Sequence, residues 1–301
     1  MTARALVITG YGLNSEEETA KGFEYVGFQT DIRHINDLAE NPKELNQVQV
    51  ISVPGGFSYG DDTGSGNAFA QKMRLTLGDA LKEFVSRDTL TIGICNGCQV
   101  VVNLGLAPAL GGECGVRQVA VTHNASARYQ CRWVDLKVEK SNSPWLQGLD
   151  ALHVPVAHGE GRFMMEDATL ETLKKQNQIA LRYAKSLSCH PEQSEGSGKQ
   201  QADSSSQAPQ NDSLVAANGE FPFNPNGSTD DIAGITDESG RVLVLMPHPE
   251  RGMFTWQRDD YARLKDQARR TNSRLPDESD GIQLFQNAAA YFGINAMKKT
   301  A

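Results

Sequence analysis

The chain has 301 residues, with 29 basic against 37 acidic side chains and a formal net charge of −8. That length allows one large or two small domains, with a core that needs no disulfide staples. A 39% hydrophobic content excludes a wholly disordered or fibrous chain, and the acidic balance excludes a general nucleic-acid binder. No apolar run approaches the roughly 18 residues of a membrane span, and the run Ala5-Leu-Val-Ile8 is too short for a signal core. Five cysteines in such a chain predict reduced thiols in a cytoplasmic protein with neither nucleic acid nor membrane as partner. The Asn-x-Ser triplets at Asn124, Asn211 and Asn226 then carry no glycosylation meaning.

In chain order, Ala5–Ile8 closed by Gly10 reads as a buried strand. Ser15-Glu-Glu-Glu18 reads as a capping box opening a helix. Extended segments follow near 30–35, at 48–53 before Pro54-Gly55-Gly56, and at Leu90-Thr-Ile-Gly-Ile94. Strands alternating with helices predict a mostly parallel sheet with helices on both faces, with ligands beyond the carboxyl ends of the strands. The β-rich stretches 130–138, 153–157 and 241–246 predict an antiparallel β extension. At the end, Ile282, Phe285, Ala289 and Phe292 space as one helical stripe, read as core packing. The whole is expected to form one domain over 1–301.

Two stretches stand apart. Ser186–Ser213 holds 8 Ser and 5 Gln among 28 residues, too few apolar groups to offset its ordering entropy. It predicts a disordered insertion, bounded at about 186–217, and makes a chemical role for Cys189 or His190 improbable. The segment 256–280 is charged in both signs and suggests no function. Neither a P-loop nor a G-x-G-x-x-G is present, so nothing announces a nucleotide site.

The sharpest chemical signal is the strand 90–94 running into Gly93-Ile-Cys95-Asn-Gly97, the cysteine counterpart of a nucleophile elbow. Small residues two before and two after Cys95 would relieve the crowding of so sharp a turn. A helix N-terminus there would favour thiolate, and the Asn96 N–H would face the oxygen of an attacked carbonyl. Cys95-Asn-Gly-Cys98 is also a C-x-x-C, which can be a redox pair, a buried cysteine in a turn or, least of these, half of a zinc site. Zinc would need a second ligand pair, and Cys114 and Cys131 stand without near histidines.

A thiol nucleophile needs a base, and the base needs an orienting acceptor. Met246-Pro-His248-Pro-Glu250 offers both, since prolines frame His248 and an extended chain projects His248 and Glu250 to one side. Gly55-Gly56 could present a second oxyanion donor, although an ordinary Pro-Gly turn explains the same residues.

Together these motifs resemble the class I, triad-type glutamine amidotransferases. The resemblance narrows with Gly55-Gly-Phe-Ser-Tyr-Gly-Asp61, Ala157-His-Gly-Glu-Gly-Arg-Phe163, Asn224-Pro-Asn-Gly-Ser228 and Met246–Arg251, which look like the amidotransferase subunits serving de novo purine synthesis. It covers 4–183 and 218–292. The segment Asn124-Ala-Ser-Ala-Arg-Tyr129 is similar to that of the long fused members, yet a Met before the first strand predicts a free-standing chain.

The resemblance implies a flavodoxin-like α/β fold and hydrolysis of L-glutamine by Cys95, His248 and Glu250 through a glutamyl thioester. It implies Gly56 and Asn96 N–H groups at the oxyanion, and glutamine contacts from Phe57, Gln99, Asn124 and Arg128. His158, Glu160 and Arg162 would serve an ammonia-transfer interface instead. No cofactor or metal is expected in this chain. ATP and Mg would be used by a partner synthase subunit that aminates formylglycinamide ribonucleotide, with a place for a small accessory subunit. An amidotransferase for another acceptor, a non-catalytic binding module, a cysteine peptidase and a thiol-redox protein are the competing readings.

Overall fold

A computed structural model of the chain describes residues 3–186 and 214–294. The strands are β1 (Arg4–Thr9), β2 (Gln29–His34), β3 (Val50–Val53), β4 (Leu90–Ile94), β5 (Ala120–Thr122) and β6 (Gln130–Val138). They continue as β7 (Ala151–His158), β8 (Arg162–Met164), β9 (Ile179–Ser186), β10 (Leu214–Ala216), β11 (Ile232–Thr236) and β12 (Val242–Leu245). The helices are α1 (Glu16–Tyr25), α2 (Ile35–Glu40), α3 (Asn67–Ser86), α4 (Asn96–Leu104), α5 (Asp167–Lys175), α6 (Tyr261–Thr271) and α7 (Asp280–Tyr291).

One sheet runs β2-β1-β3-β4-β12-β11-β9-β6-β7, with β10 on β9. From β2 to β12 every pairing is parallel; from β12 to β7 every pairing is antiparallel. The parallel strands β3 and β4 are buried along their whole length, as their unbroken apolar runs require. The order β2-β1-β3 reverses direction, so right-handed crossovers put α1 on one face and α2, α3 and α4 on the other. The packing agrees: α1 meets α7, and α3 meets both α2 and α4. The loops after β1 and β3 therefore diverge at a topological switch point, where such sheets bind ligands.

Three local expectations change. Ser15 does cap α1, but its side chain makes no capping bond. Its backbone N–H donates instead to the Gly55 carbonyl at 3.2 Å, which docks the start of α1 onto the loop after β3. The stretch 241–246 pairs in parallel with β4 and only its other edge is antiparallel, because β12 is the seam between the two halves. At the insertion, Ser186 and residues 214–216 are strand: β10 returns antiparallel beside β9. Residues 187–213 of that insertion lie outside the described residues. The terminal stripe is as expected, with Ile282, Phe285 and Ala289 buried on α7 and Phe285 edge-on to Phe23 of α1.

The charged segment before α7 carries α6, which buries none of its residues. Ion pairs hold its base. His153 on β7 sits between Asp135 (2.7 Å) and Asp259 (3.1 Å), and Arg258 pairs with Asp260 and Asp280. Burial would lower the His153 pKa, but its bonds to Asp135 and Asp259 raise it above the ordinary 6.5. The charged ring therefore stabilises the fold fully below pH 6.5, and that contribution fades as pH rises through the raised value. Asp135→Asn is expected to cost about 1–2 kcal/mol at pH 6 and progressively less at higher pH. Urea midpoints across that range check it, and a pH-independent cost would refute the linkage.

Candidate active site

The parallel register of β4 and β12 sets Leu245 beside Ile94 and ends both strands at the same edge. The two chemical motifs leave the sheet side by side for that reason. The Cys95 N–H donates to the Leu245 carbonyl at 2.9 Å, which ties one to the other.

Cys95 has φ 52° and ψ −108°, a conformation no unstrained L-residue prefers. The glycines around it have steric reasons. A Cβ on Gly93 would meet the Gly97 carbonyl oxygen at 2.7 Å, and one on Gly97 would meet that of Val53 at 1.8 Å. Cys95 caps α4, so its sulfur lies at the positive end of the helix dipole. Its Sγ lies 3.6 Å from the Ala157 carbonyl oxygen.

His248 and Glu250 are both buried, with His248 Nδ1 2.6 Å from Glu250 Oε1. The His248 N–H donates to the Pro155 carbonyl at 2.8 Å, fixing the turn against β7. Burial opposes charge on this ring, but Glu250, then Cys95, overcome it and push the pKa up to about 10. His248 is thus held as imidazolium between the Glu250 carboxylate and the Cys95 sulfur. Gly55 lies between the two motifs: a Cβ there would be 2.7 Å from the His248 ring and 3.4 Å from Cys95 Cβ. Cys98 is fully buried in α4, and burial, with Cys95 adding to it, pushes its thiol well above the ordinary range. That suits a packed side chain and not half of a redox pair.

The backbone at Asn96 and Gly56 is fixed by the fold. Asn96 begins α4, so its N–H has no helical acceptor. Gly56 bridges Leu13 and has φ 153°, and a Cβ on it would strike Leu13 Cα at 2.5 Å. The Asn96 side chain knits the loop to the elbow. Its Oδ1 accepts from the Ser58 N–H (3.3 Å), and its Nδ2 donates to Gln99 Oε1 (2.8 Å) and more weakly to Asp61 (3.4 Å).

The other predicted residues divide. Phe57 and Arg128 are exposed, and Phe57 lies 6.1 Å from the Tyr129 ring across the site's mouth. Gln99 and Asn124, expected to touch glutamine, are buried and committed to internal bonds. Gln99 joins Asn96 to the Glu160 carbonyl, and Asn124 donates to the carbonyls of Arg128 and His158, both at 2.9 Å. Both therefore belong to the scaffold that shapes the pocket. Glu160 accepts from the Ser65 N–H (3.1 Å) and faces His123 (3.4 Å); Arg162 donates to the Gly227 carbonyl (3.0 Å). Asp61 is pushed up to about 6 by burial and then by neighbouring Glu160.

Sequence reasoning passed over Tyr129, close enough to Cys95 for the sulfur to raise its phenol pKa after burial does. It lies inside a quoted motif, but only the fold brings it to the mouth. Ser15 was also missed as a neighbour of Gly55. Among the described residues, His153, Asp259 and Asp260 group as metal ligands could. Arg258 and Arg263 already pair with Asp260, so the group is an ion-pair network.

A strained cysteine elbow on a parallel sheet, facing a buried His–Glu pair, defines a thiol hydrolase or transferase of the amidotransferase type. Residues 2–292 match the CobB/CobQ-like glutamine amidotransferase domain, and the chain belongs to that family. It is 44% identical, over 96% of its own length and 97% of the relative's, to "Phosphoribosylformylglycinamidine synthase subunit PurQ" of Methanococcus maripaludis. The protein of the same name from Dehalococcoides mccartyi is 35% identical over 96% and 97%. The "Phosphoribosylformylglycinamidine synthase" of Dictyostelium discoideum is 30% identical over 96% of this chain and 20% of that one. Among solved structures, a chain of "PurLQS from Thermotoga maritima" superposes with a TM-score of 0.63 at 26% identity, covering 97% of this chain and all of that one. Among the described residues, no helix is long and apolar enough to cross a membrane.

Proposed function

We propose that this chain is the glutaminase subunit of a phosphoribosylformylglycinamidine synthase, working in the cytoplasm. The observation that carries it is the Cys95 elbow set against the buried His248–Glu250 pair, in a chain 44% identical to a PurQ over nearly its whole length.

Cys95 thiolate attacks the side-chain carboxamide carbon of L-glutamine, and the N–H groups of Gly56 and Asn96 receive the oxyanion. The imidazolium of His248 donates its proton to the nitrogen, the C–N bond breaks, and ammonia leaves a glutamyl thioester. Neutral His248 then takes a proton from water, whose oxygen attacks the thioester. Glutamate departs and the thiolate–imidazolium pair returns. Glu250 holds Nδ1–H throughout, so the other ring nitrogen does the proton work. Phe57, Tyr129 and Arg128 border the mouth through which glutamine enters.

The ammonia passes to a synthase subunit, which uses ATP and Mg to convert formylglycinamide ribonucleotide to the amidine. The β7–β8 connection, with His158, Glu160 and Arg162, follows directly on Ala157, whose carbonyl faces Cys95, and is the natural side for that transfer. The test is reconstitution with the synthase subunit, formylglycinamide ribonucleotide, ATP, Mg and L-glutamine. Glutamate should form in step with amidine. Glutamate without amidine would move the acceptor elsewhere, and no glutamate would overturn the reading.

A further inference from the structure

His158, the last residue of β7, is buried, and the steps above give its ring atoms no part in the chemistry. Its ring packs so closely under Gly161 that a Cβ there would lie 2.3 Å away. The neighbouring Asn124 fixes where its proton sits. Asn124 Nδ2 donates to two carbonyls, and Oδ1 accepts the Gly161 N–H at 3.0 Å. That oxygen has no proton to give, so His158 Nδ1, 3.2 Å from it, must be the N–H of the ring.

Nε2 is then a bare lone pair, buried and without a protein partner. The ring does not escape this by protonating. Burial, and next the charge of His248, push its pKa down to about 3. A buried acceptor left unmatched is costly, and the group suited to it is a small neutral donor. The location is specific, since the preceding residue, Ala157, is the one whose carbonyl oxygen lies 3.6 Å from Cys95 Sγ.

We infer that His158 Nε2 accepts an N–H from the ammonia released at Cys95 and holds it, as NH3, on its way out of the site. This rests on the glutaminase reading. Ammonia offers three N–H donors, and His158 has no acidic proton at Nε2 to convert it to ammonium. The leaving nitrogen keeps its own lone pair, which it needs as a nucleophile at the acceptor. On the Gly161 side the buried groups are neutral: Asn226 donates to the Gly161 carbonyl (2.8 Å) and to the Tyr183 oxygen (3.0 Å), and burial pushes the Tyr183 phenol far above its ordinary range.

Two substitutions separate the two ring nitrogens. In His158→Asn the amide stands at the Nδ1 position, keeping the bond to Asn124 and losing the Nε2 acceptor. In His158→Gln the side-chain oxygen reaches the Nε2 position and the Asn124 bond is lost. Each is assayed in the reconstituted complex for glutamate, amidine and free ammonia, with added ammonium chloride showing that the synthase half is intact. Expected is a glutamate-to-amidine ratio near one for wild type and His158→Gln. In His158→Asn the ratio should rise severalfold, with ammonia escaping to solution. Both variants coupled as in wild type would mean that Nε2 holds only water and would overturn the inference. Uncoupling in His158→Gln, alone or with His158→Asn, would assign the effect to the Asn124 contact and overturn it as well. No glutamate even from wild type would instead defeat the glutaminase reading on which this depends.

Discussion

Replacing Cys95 with alanine is expected to lower glutamate release by at least about 10⁴-fold, because the remaining groups have no nucleophile to serve. The fold should survive. The φ of 52° at position 95 strains any side chain, so alanine adds no new cost there, and it removes a sulfur without introducing a clash. Amidine formation from added ammonium should continue in the complex, since that half-reaction needs no thioester. The same variant offers a spectroscopic check. Cys95 follows Glu250 among the groups that hold the His248 pKa up. Losing the sulfur should therefore move the imidazole titration, read by NMR, to lower pH. Residual glutamate release above a few parts in 10⁴ would refute the nucleophile assignment. An unmoved His248 would refute the thiolate–imidazolium pairing.

The elbow was legible because its constraints are local. Gly93 and Gly97 flank the cysteine at spacings that only steric crowding explains, and the structure shows the carbonyls that crowd them. The His248-x-Glu250 pair was legible for the same reason: two residues apart on a rigid turn, they could hardly avoid meeting. What joins these motifs is not local. That β12 pairs in parallel with β4 depends on the 147 residues between them, and alternation within 241–246 carries no sign of strand direction. Ser15 looked like a helix cap because three acidic residues follow it, but the Gly55 carbonyl competes for its backbone and wins. Gln99 and Asn124 were substrate contacts only by resemblance, and in the structure their polar groups bond internally. Their partners, Glu160, Arg128 and His158, lie on loops whose approach no pattern in the chain announces.

Glu250→Gln should lower kcat by about 10²–10⁴-fold, the range seen when the orienting acid of a triad loses its charge. KM should change far less, because Glu250 is fully buried behind His248 and no part of it reaches the mouth of the site. Two effects combine. A glutamine side chain offers an N–H to Nδ1 as readily as an oxygen, and the wrong orientation would leave the proton on the nitrogen that must exchange it. Glu250 also supplies the largest upward push on a ring that burial would otherwise keep neutral. The working form pairs thiolate with imidazolium, so it disappears when the ring deprotonates as pH rises. In wild type that loss lies near the raised value of about 10. Without the carboxylate the alkaline limb of kcat/KM should move to lower pH, narrowing the active range from its basic side. A variant with reduced kcat but an unmoved alkaline limb would show that Glu250 orients the ring without charging it. Unaltered kcat would remove Glu250 from the catalytic set.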